Sequence, residues 1–336
     1  MRRTTLTFLL AAAGLSPAYA QIAAPVAAVD TSPISDMETL VVSGVQPGPG
    51  MWKVSKGDHV MWVLGVQSPL PKKMQWVSRD VEEVLAQAQE VIWPTVVAVD
   101  VDIGFFQGAL LAPKAFGARK NPNGASLHDV VSPQLYARWQ VLKKKYVGRD
   151  NGIEKWRPMF AAMELYKEAM DDVGLRERGI VGPVLGRMIK GKTIKQTSPM
   201  VQIKIADPKA ALAEFSTARL DDLDCFSKTL SSLESDLDVM RDRANAWAIG
   251  NIETLRGLPY PDLDQVCMDA AMQTGAARKR GMGDLDADEE KQWFAAAEKA
   301  LATNAVTFST LPMRELLSAD GYLAKLQAKG FQVEAP

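Results

Sequence analysis

The sequence predicts an α/β (α+β) fold, in which a central mixed β-sheet is flanked by helices and the C-terminal half is rich in helices. Short β-rich segments alternate with longer helical segments along the chain, which is typical of this class. Of the 336 residues, 47% are hydrophobic and 24% are charged, as in a protein that buries a sizeable core. The 39 basic and 40 acidic residues nearly balance, so we expect no nucleic-acid partner.

The N-terminus has the pattern of a secretory signal peptide at residues 1–20. Arg2 and Arg3 precede a short apolar run, and Ala18-Tyr19-Ala20 offers a small-x-small cleavage site. We expect Sec-type export to the periplasm or the medium, because the apolar run is short for a membrane anchor. No later apolar run reaches membrane-spanning length, so no transmembrane helix is expected after cleavage. Residues 21–36 are predicted to be a flexible linker, and residues 37–336 a single domain.

Hydrophobic periodicity places the elements of this domain in order. Strands are predicted at residues 60–64, 96–101, 193–196, 201–205, 305–308 and 331–334. Helices are predicted at residues 79–91, 133–146, 155–173 and 182–190, followed by a helical insertion at about 208–303. Within this insertion apolar residues recur at spacings of three and four, which indicates one helical stripe for core packing: Leu223, Phe226, Leu230, Leu233, Leu237 and Met240.

The two cysteines, Cys225 and Cys267, both lie in the helical insertion. An exported chain meets oxidising conditions, so we expect them to form a disulfide. The closed loop of about 40 residues would stabilise the fold by roughly 4 kcal/mol on the chain-entropy model. A reactive thiol is the alternative, although neither cysteine lies in a Cys-x-x-Cys pattern or next to a histidine.

The opening of the domain carries a family resemblance. The order is Gly-Met-Trp-Lys-Val at 50–54, an apolar strand, Gly-Val-Gln-Ser at 65–68 and Pro-Leu-Pro at 69–71. It resembles the TraB/GumN family, whose opening reads Gly-Leu-Trp-Lys-Val, an apolar strand, Gly-Thr-x-His and a Pro-Leu-Pro-like turn. Further similar segments follow in the same order at residues 156–160, 182–194 and 320–333. The resemblance therefore spans most of residues 50–333 and implies the family's fold.

The resemblance also implies a decayed site. In the family members related to Tiki-type proteases, the opening histidine is associated with a metal-dependent peptidase site, and here Ser68 takes its place. The family's closing Gly-x-Gly-His-Leu is replaced by Phe-Ser-Thr-Leu-Pro at 308–312. We therefore expect no catalytic residue, metal or cofactor, and a binding or accessory role toward an envelope component or peptide. A metal-dependent peptidase or hydrolase with substituted ligands is the alternative.

The candidate cleft comprises Gly65, Gln67, Ser68, Asp100 and Asp102. Asp100 and Asp102 alternate along a predicted strand end, so they face the same side and could hold a hard cation; a solvated strand end is the alternative. Ser68 could act as a nucleophile only with a base, for which His59 is the nearby candidate; the alternative is a turn-forming serine before Pro69. Both histidines, His59 and His128, are predicted in exposed turns or loops.

A Walker A pattern occurs from Gly186 to Thr193. A phosphate-binding loop needs a strand before the glycines and a helix beginning at the Lys-Thr pair. Here the glycines fall inside and just after a predicted helix, so Gly191 is interpreted as a helix C-cap. We expect no nucleotide ligand.

Overall fold

The computed structural model describes residues 48–260 and 263–336, apart from the side chains of 105–107 and 264. The predicted signal peptide and linker lie outside the described residues. The strands are β1 (Met51–Lys56), β2 (His59–Val66), β3 (Leu70–Pro71), β4 (Glu90–Ile92), β5 (Val96–Val101), β6 (Leu175–Arg176), β7 (Lys195–Thr197), β8 (Met200–Ile205), β9 (Val306–Pro312) and β10 (Gln332–Glu334).

The helices follow in chain order. They are α1 (Arg79–Gln87), α2 (Phe105–Gly117), α3 (Leu127–Val130), α4 (Pro133–Tyr146), α5 (Pro158–Asp172), α6 (Val181–Ile189), α7 (Pro208–Thr217), α8 (Leu223–Ser235), α9 (Leu237–Ala248), α10 (Ile252–Gly257), α11 (Leu263–Met272), α12 (Gly275–Arg278), α13 (Leu285–Thr303), α14 (Met313–Leu317) and α15 (Tyr322–Ala328). None of the helices in the described part of the chain is long and apolar enough to cross a bilayer.

A six-stranded mixed sheet in the order β10-β1-β2-β9-β4-β7 forms the centre of the fold, which confirms the predicted fold class. β1 is antiparallel to β2 and β10, whereas β2, β9, β4 and β7 are parallel to one another. The carboxyl ends of β2, β9 and β4 consequently lie on one side of the sheet, which we call the carboxyl edge. Ligands of open α/β sheets usually bind at this edge.

A second pair of parallel strands, β5 and β8, forms a ribbon separate from the central sheet. The predicted strand at 96–101 is confirmed as β5, but the central strand preceding it is β4, which falls partly in the predicted helix 79–91. That helix ends at Gln87, because Ala88 is already extended. The three residues of β4 are too few to show a strand period in the sequence.

Two main hydrophobic clusters hold the fold together. One surrounds the central sheet, with Trp52, Phe308 and Trp293 fully buried. The other lies among α4, α5 and α8 and includes Trp139, Leu165, Phe226 and Leu230. The predicted stripe supplies four buried residues, Phe226, Leu230, Leu233 and Met240, but Leu223 is 43% exposed. The stripe also spans two helices, because α8 ends just before Asp236 and α9 begins just after it.

Three local features complete the fold. The predicted disulfide is present, with 2.01 Å between the Sγ atoms of Cys225 and Cys267, and it joins α8 to α11. Gly191 follows α6 with a φ of 78°, which is the left-handed cap expected from the sequence. The last residue, Pro336, lies against Gly50, since a Cβ on Gly50 would lie 2.6 Å from the Pro336 ring.

Candidate functional site

Gly65 lies inside β2, not in the tight turn that its sequence context suggests, and two neighbouring helices pack against it. A Cβ at this position would lie 2.6 Å from Met313 Cε and 3.1 Å from Leu316 Cδ1, both on α14. The indole Nε1 of Trp247 on α9 donates a hydrogen bond to the Gly65 carbonyl at 2.7 Å. The ends of the Met313 and Leu316 side chains thus fill the space beside Gly65, and they would have to shift to admit a side chain at this position.

Gln67 and Ser68 follow β2 at the carboxyl edge. Gln67 is 2% exposed, and its Nε2 donates to the Ser68 carbonyl at 2.8 Å, while its Oε1 is buried and has no hydrogen-bond partner among the described residues. The Ser68 hydroxyl donates to the Glu177 carbonyl at 2.9 Å, and the Ser68-Pro69 peptide is cis. The Ser68 hydroxyl is therefore hydrogen-bonded to a backbone carbonyl. It stands at the position where the TraB/GumN family, which the sequence resembles, carries a histidine.

The proposed base for Ser68, His59, lies at the other end of β2. It is the first residue of that strand, so nine residues separate it from Ser68, roughly 30 Å along an extended chain. His59 is half-buried, and its Nδ1 lies 2.7 Å from the Asn304 carbonyl. The prediction of an exposed turn is thus wrong for His59. His128 is exposed as predicted but lies in α3 instead of a loop.

Asp100 and Asp102 lie at the far end of the β5–β8 ribbon. Both are exposed, and Asp100 is opposite Lys204 in the strand register. The ribbon is a different sheet from the one that carries Gly65 and Gln67, so the five residues of the predicted cleft are distributed over two sheets. The segment 308–312, which replaces the family's closing Gly-x-Gly-His-Leu, lies within β9. Ser309 and Thr310 are buried there.

The side chains at the carboxyl edge do not fit a transition-metal site. Gln67 and Ser68 offer an amide and an un-ionised hydroxyl, whereas zinc sites use thiolates, imidazoles and carboxylates. Among residues 48–260 and 263–336 there is no group of three or more His, Cys, Asp or Glu that could hold a metal ion.

Arg243 on α9 brings a positive charge into this region. It is 2% exposed, and its Nη1 donates to the Pro259 carbonyl, while its Nη2 is buried and finds no hydrogen-bond partner in the part of the chain that the structure describes. The Tyr260 ring centroid lies 3.4 Å from the guanidinium carbon. Burial lowers the pKa of Arg243, although the charge of Tyr260 acts in the opposite direction.

Arg243 and Gln67 belong to one cluster because Tyr260 and Trp247 connect them. The Tyr260 hydroxyl donates to the Ser68 carbonyl at 3.4 Å, and Trp247, one helical turn after Arg243, donates to Gly65. Trp247 also contacts Trp76, with ring centroids 5.5 Å apart, and the Nε1 of Trp76 is buried with no hydrogen-bond partner within residues 48–260 and 263–336. We call the following residues the carboxyl-edge cluster: Gln67, Ser68, Trp76, Arg243, Trp247 and Tyr260.

Sequence reasoning found Gln67 and Ser68 but missed the other four residues of this cluster. A signal was available for two of them, because Arg243 and Trp247 are four residues apart and lie on one helix face. The unpartnered atoms are two donors, on Arg243 and Trp76, and one acceptor, on Gln67. Such a set can bind a polar ligand, but it contains no nucleophile paired with a general base.

A polar network at the opposite edge of the sheet centres on Glu90. Its carboxylate accepts from Lys195 Nζ at 2.8 Å, from Asn304 Nδ2 at 2.8 Å and from the Thr197 hydroxyl. Burial alone would raise the pKa of Glu90, but these hydrogen bonds together outweigh burial and lower it. Because this carboxylate is fully paired, the network is structural.

A separate cleft of about 590 Å³ opens beside β1 and α1. Trp62 and Val306 contribute apolar surface, and Asp80 and Glu83 contribute carboxylates. None of the residues of the predicted cleft or of the carboxyl-edge cluster lines it.

Comparison with known protein families gives one match. The model of the TraB/PrgY/gumN family matches residues 50–335, which includes every strand and helix of the structure and the whole carboxyl-edge cluster. No curated protein and no solved structure matches the chain.

Proposed function

This chain belongs to the TraB/PrgY/gumN family, and we propose that it is an exported, non-catalytic binding or accessory protein of the cell envelope, which holds its ligand at the carboxyl edge. The observation that carries this proposal is the chemistry of that edge. The side chains there are an amide, a hydroxyl, two indoles, a phenol and a guanidinium, and the Ser68 hydroxyl is engaged with the Glu177 carbonyl. This set can recognise a polar ligand but cannot activate water.

Two features support export. Residues 1–20 have the pattern of a cleavable signal peptide, and a disulfide joins Cys225 to Cys267, as is common in proteins of oxidising compartments. The test is expression of the full chain followed by mass spectrometry of the protein in each cell fraction. We expect a form that begins at Gln21 in the periplasm or the medium; a full-length form confined to the cytoplasm would overturn this part of the proposal.

The second candidate function is a metal-dependent hydrolase with substituted ligands. Asp100 and Asp102 favour it, since both carboxylates are exposed on the same side of β5. Two carboxylates alone would leave a transition metal underliganded, because catalytic zinc sites supply three protein ligands and an open position for water.

Peptide cleavage distinguishes the two functions. We expect the purified protein to cleave no peptide from a mixed library with Mn²⁺, Co²⁺ or Zn²⁺ added, and Ser68→His to recover little turnover because it restores only one ligand. Chelator-sensitive cleavage by the unaltered protein would contradict the binding role. In that case loss of cleavage in Asp100→Asn and Asp102→Asn would assign the site to β5.

A further inference from the structure

We propose that the carboxyl-edge cluster binds a ligand that carries a free carboxylate, such as the C-terminal end of a peptide, with Arg243 as the anion-binding group. This inference rests on the proposed binding function and names its ligand class. It starts from a charge that has no ion-pair partner in the described part of the chain.

Arg243 is a buried cation without an ion-pair partner among the described residues. No ion pair within residues 48–260 and 263–336 involves it, and its single protein hydrogen bond goes to the Pro259 carbonyl. An uncompensated buried charge destabilises a fold by several kcal/mol. A ligand anion would supply the missing counter-charge, since charge-assisted hydrogen bonds between a guanidinium and a carboxylate are among the strongest in proteins.

Arg157 is a buried arginine with a structural role in the same fold, and its hydrogen bonding can be compared with that of Arg243. It is also 2% exposed, but each of its guanidinium nitrogens donates to backbone. The four acceptors are the carbonyls of Lys120 at 3.2 Å, Ala218 at 3.0 Å, Phe215 at 3.1 Å and Ser216 at 2.6 Å. Every guanidinium nitrogen of Arg157 thus has an acceptor, whereas Nη2 of Arg243 has none among the described residues.

Two further buried atoms of the cluster, Trp76 Nε1 and Gln67 Oε1, have no hydrogen-bond partner among the described residues, and we take their chemistry as the guide to the rest of the ligand. The Trp76 indole can donate only, so it suits an anionic oxygen, whereas Gln67 Oε1 can accept only. The ligand therefore needs an N–H or O–H close to its carboxylate. The last residue of a peptide has both, because its backbone amide lies next to the terminal carboxylate. A single guanidinium without a lysine in the cluster also favours a singly charged carboxylate over a phosphate.

The Tyr260 ring covers the guanidinium, so binding displaces this ring and changes the surroundings of Trp76 and Trp247. Tryptophan fluorescence can therefore report binding. The probes are N-acetyl-trialanine with a free carboxylate, the same peptide as its C-terminal amide, and inorganic phosphate. We expect the free carboxylate to change the fluorescence and raise the melting temperature of the oxidised mature protein, and the amide and phosphate to do neither.

Two variants separate a binding role of Arg243 from a structural one. Arg243→Met removes the unpaired charge, so we expect an unchanged or higher melting temperature and an affinity for the free carboxylate at least tenfold weaker. The matched control, Arg157→Met, removes four hydrogen bonds to backbone carbonyls; we expect it to lower the melting temperature but to keep the carboxylate response. Arg243→Lys retains the charge and should retain part of the response.

Each contrary result has a distinct meaning. The inference is overturned if the free carboxylate gives no response at millimolar concentration, or if Arg243→Met responds as the unaltered protein does. It is also overturned if the melting temperature of Arg243→Met falls as far as that of Arg157→Met. An equal response to phosphate overturns the assignment to carboxylates. Cleavage of a probe peptide, followed in the same mixtures, overturns the non-catalytic function instead and leaves the Arg243 dependence to be judged separately.

Discussion

Gly65 links the family resemblance to the packing of this chain. The resemblance places this glycine at the start of a site motif, and the structure shows that a side chain there would require its neighbours to shift. Met313 and Leu316 occupy the space that a Cβ would need, and Trp247 bonds to the carbonyl of the same residue. One position thus fixes the strand, α14 and α9 relative to each other at the carboxyl edge.

We expect Gly65→Ala to destabilise the protein by about 1–3 kcal/mol, because the new methyl group overpacks a filled core. The matched control is Gly186→Ala, in the interior of α6, where a Cβ would meet no atom within 4 Å. Since alanine is the better helix former, this control should be neutral or stabilising by about 0.5–1 kcal/mol. Urea denaturation measures both; equal effects of the two substitutions would contradict the packing argument.

Glu90 makes the stability of the central sheet dependent on pH. Its pKa is lower in the folded protein than its ordinary value, so its contribution is fully present above the unfolded pKa of about 4.3 and is lost as pH falls through the folded pKa. We expect Glu90→Gln to reduce the loss of stability between pH 6 and pH 3. The free energy of unfolding against pH, measured by urea denaturation, checks this; parallel curves for the two proteins would refute it.

The candidate site could be predicted only in part from the sequence, because its residues are recognised by different signals. Gln67 and Ser68 follow a motif that is continuous in sequence, so they were found. Arg243 lies in Arg-Asp-Arg at 241–243, a charged run that indicates a solvated helix face. Its burial depends on the chain segment that carries Pro259 and Tyr260, which periodicity does not reveal.

Some elements were predicted with their full boundaries, and others were missed. The boundaries of α4 and β5 match the predicted 133–146 and 96–101, whereas β4 was assigned to the end of a helix and α2 was missed. In α2 a proline lies inside the helix, at Pro113, and proline normally argues against a helix. Which sheet a strand joins, as for β5, depends on tertiary contacts that lie outside any local pattern.

The disulfide between α8 and α11 should contribute substantially to stability. Cys225 and Cys267 are 42 residues apart, and closing such a loop in the unfolded chain is worth roughly 4 kcal/mol on the chain-entropy model. We expect the Cys225→Ala, Cys267→Ala double variant to lose a stability of this order, and the unreduced protein to show no free thiol by mass spectrometry. Two titratable thiols per chain in the native protein would contradict the bond.

The helix-rich segment 208–303 is part of the central core. Trp247 on α9 and Trp293 on α13 belong to the same cluster as Trp52 and Phe308, while Met240, also on α9, belongs to the second cluster. The segment therefore covers the sheet and connects the two clusters, in addition to carrying Arg243.

We expect a chain in which residues 208–303 are replaced by a short flexible linker to lose cooperative unfolding, because the central sheet would lose two buried tryptophans together with their helices. Circular dichroism during heating measures this. A sharp transition with the strand signal intact would show that the segment is a dispensable insertion.

The contact between Gly50 and Pro336 has a consequence for the chain's connectivity. β1 and β10 are antiparallel neighbours, yet the paired residues Lys53 and Glu334 are 281 positions apart in sequence. A linker of a few residues from 336 to 48, with new ends opened at the exposed turn around Gly148, would turn this pair into a local hairpin. A circular permutant would thus keep every strand partner while lowering the contact order, and folding rates rise as contact order falls.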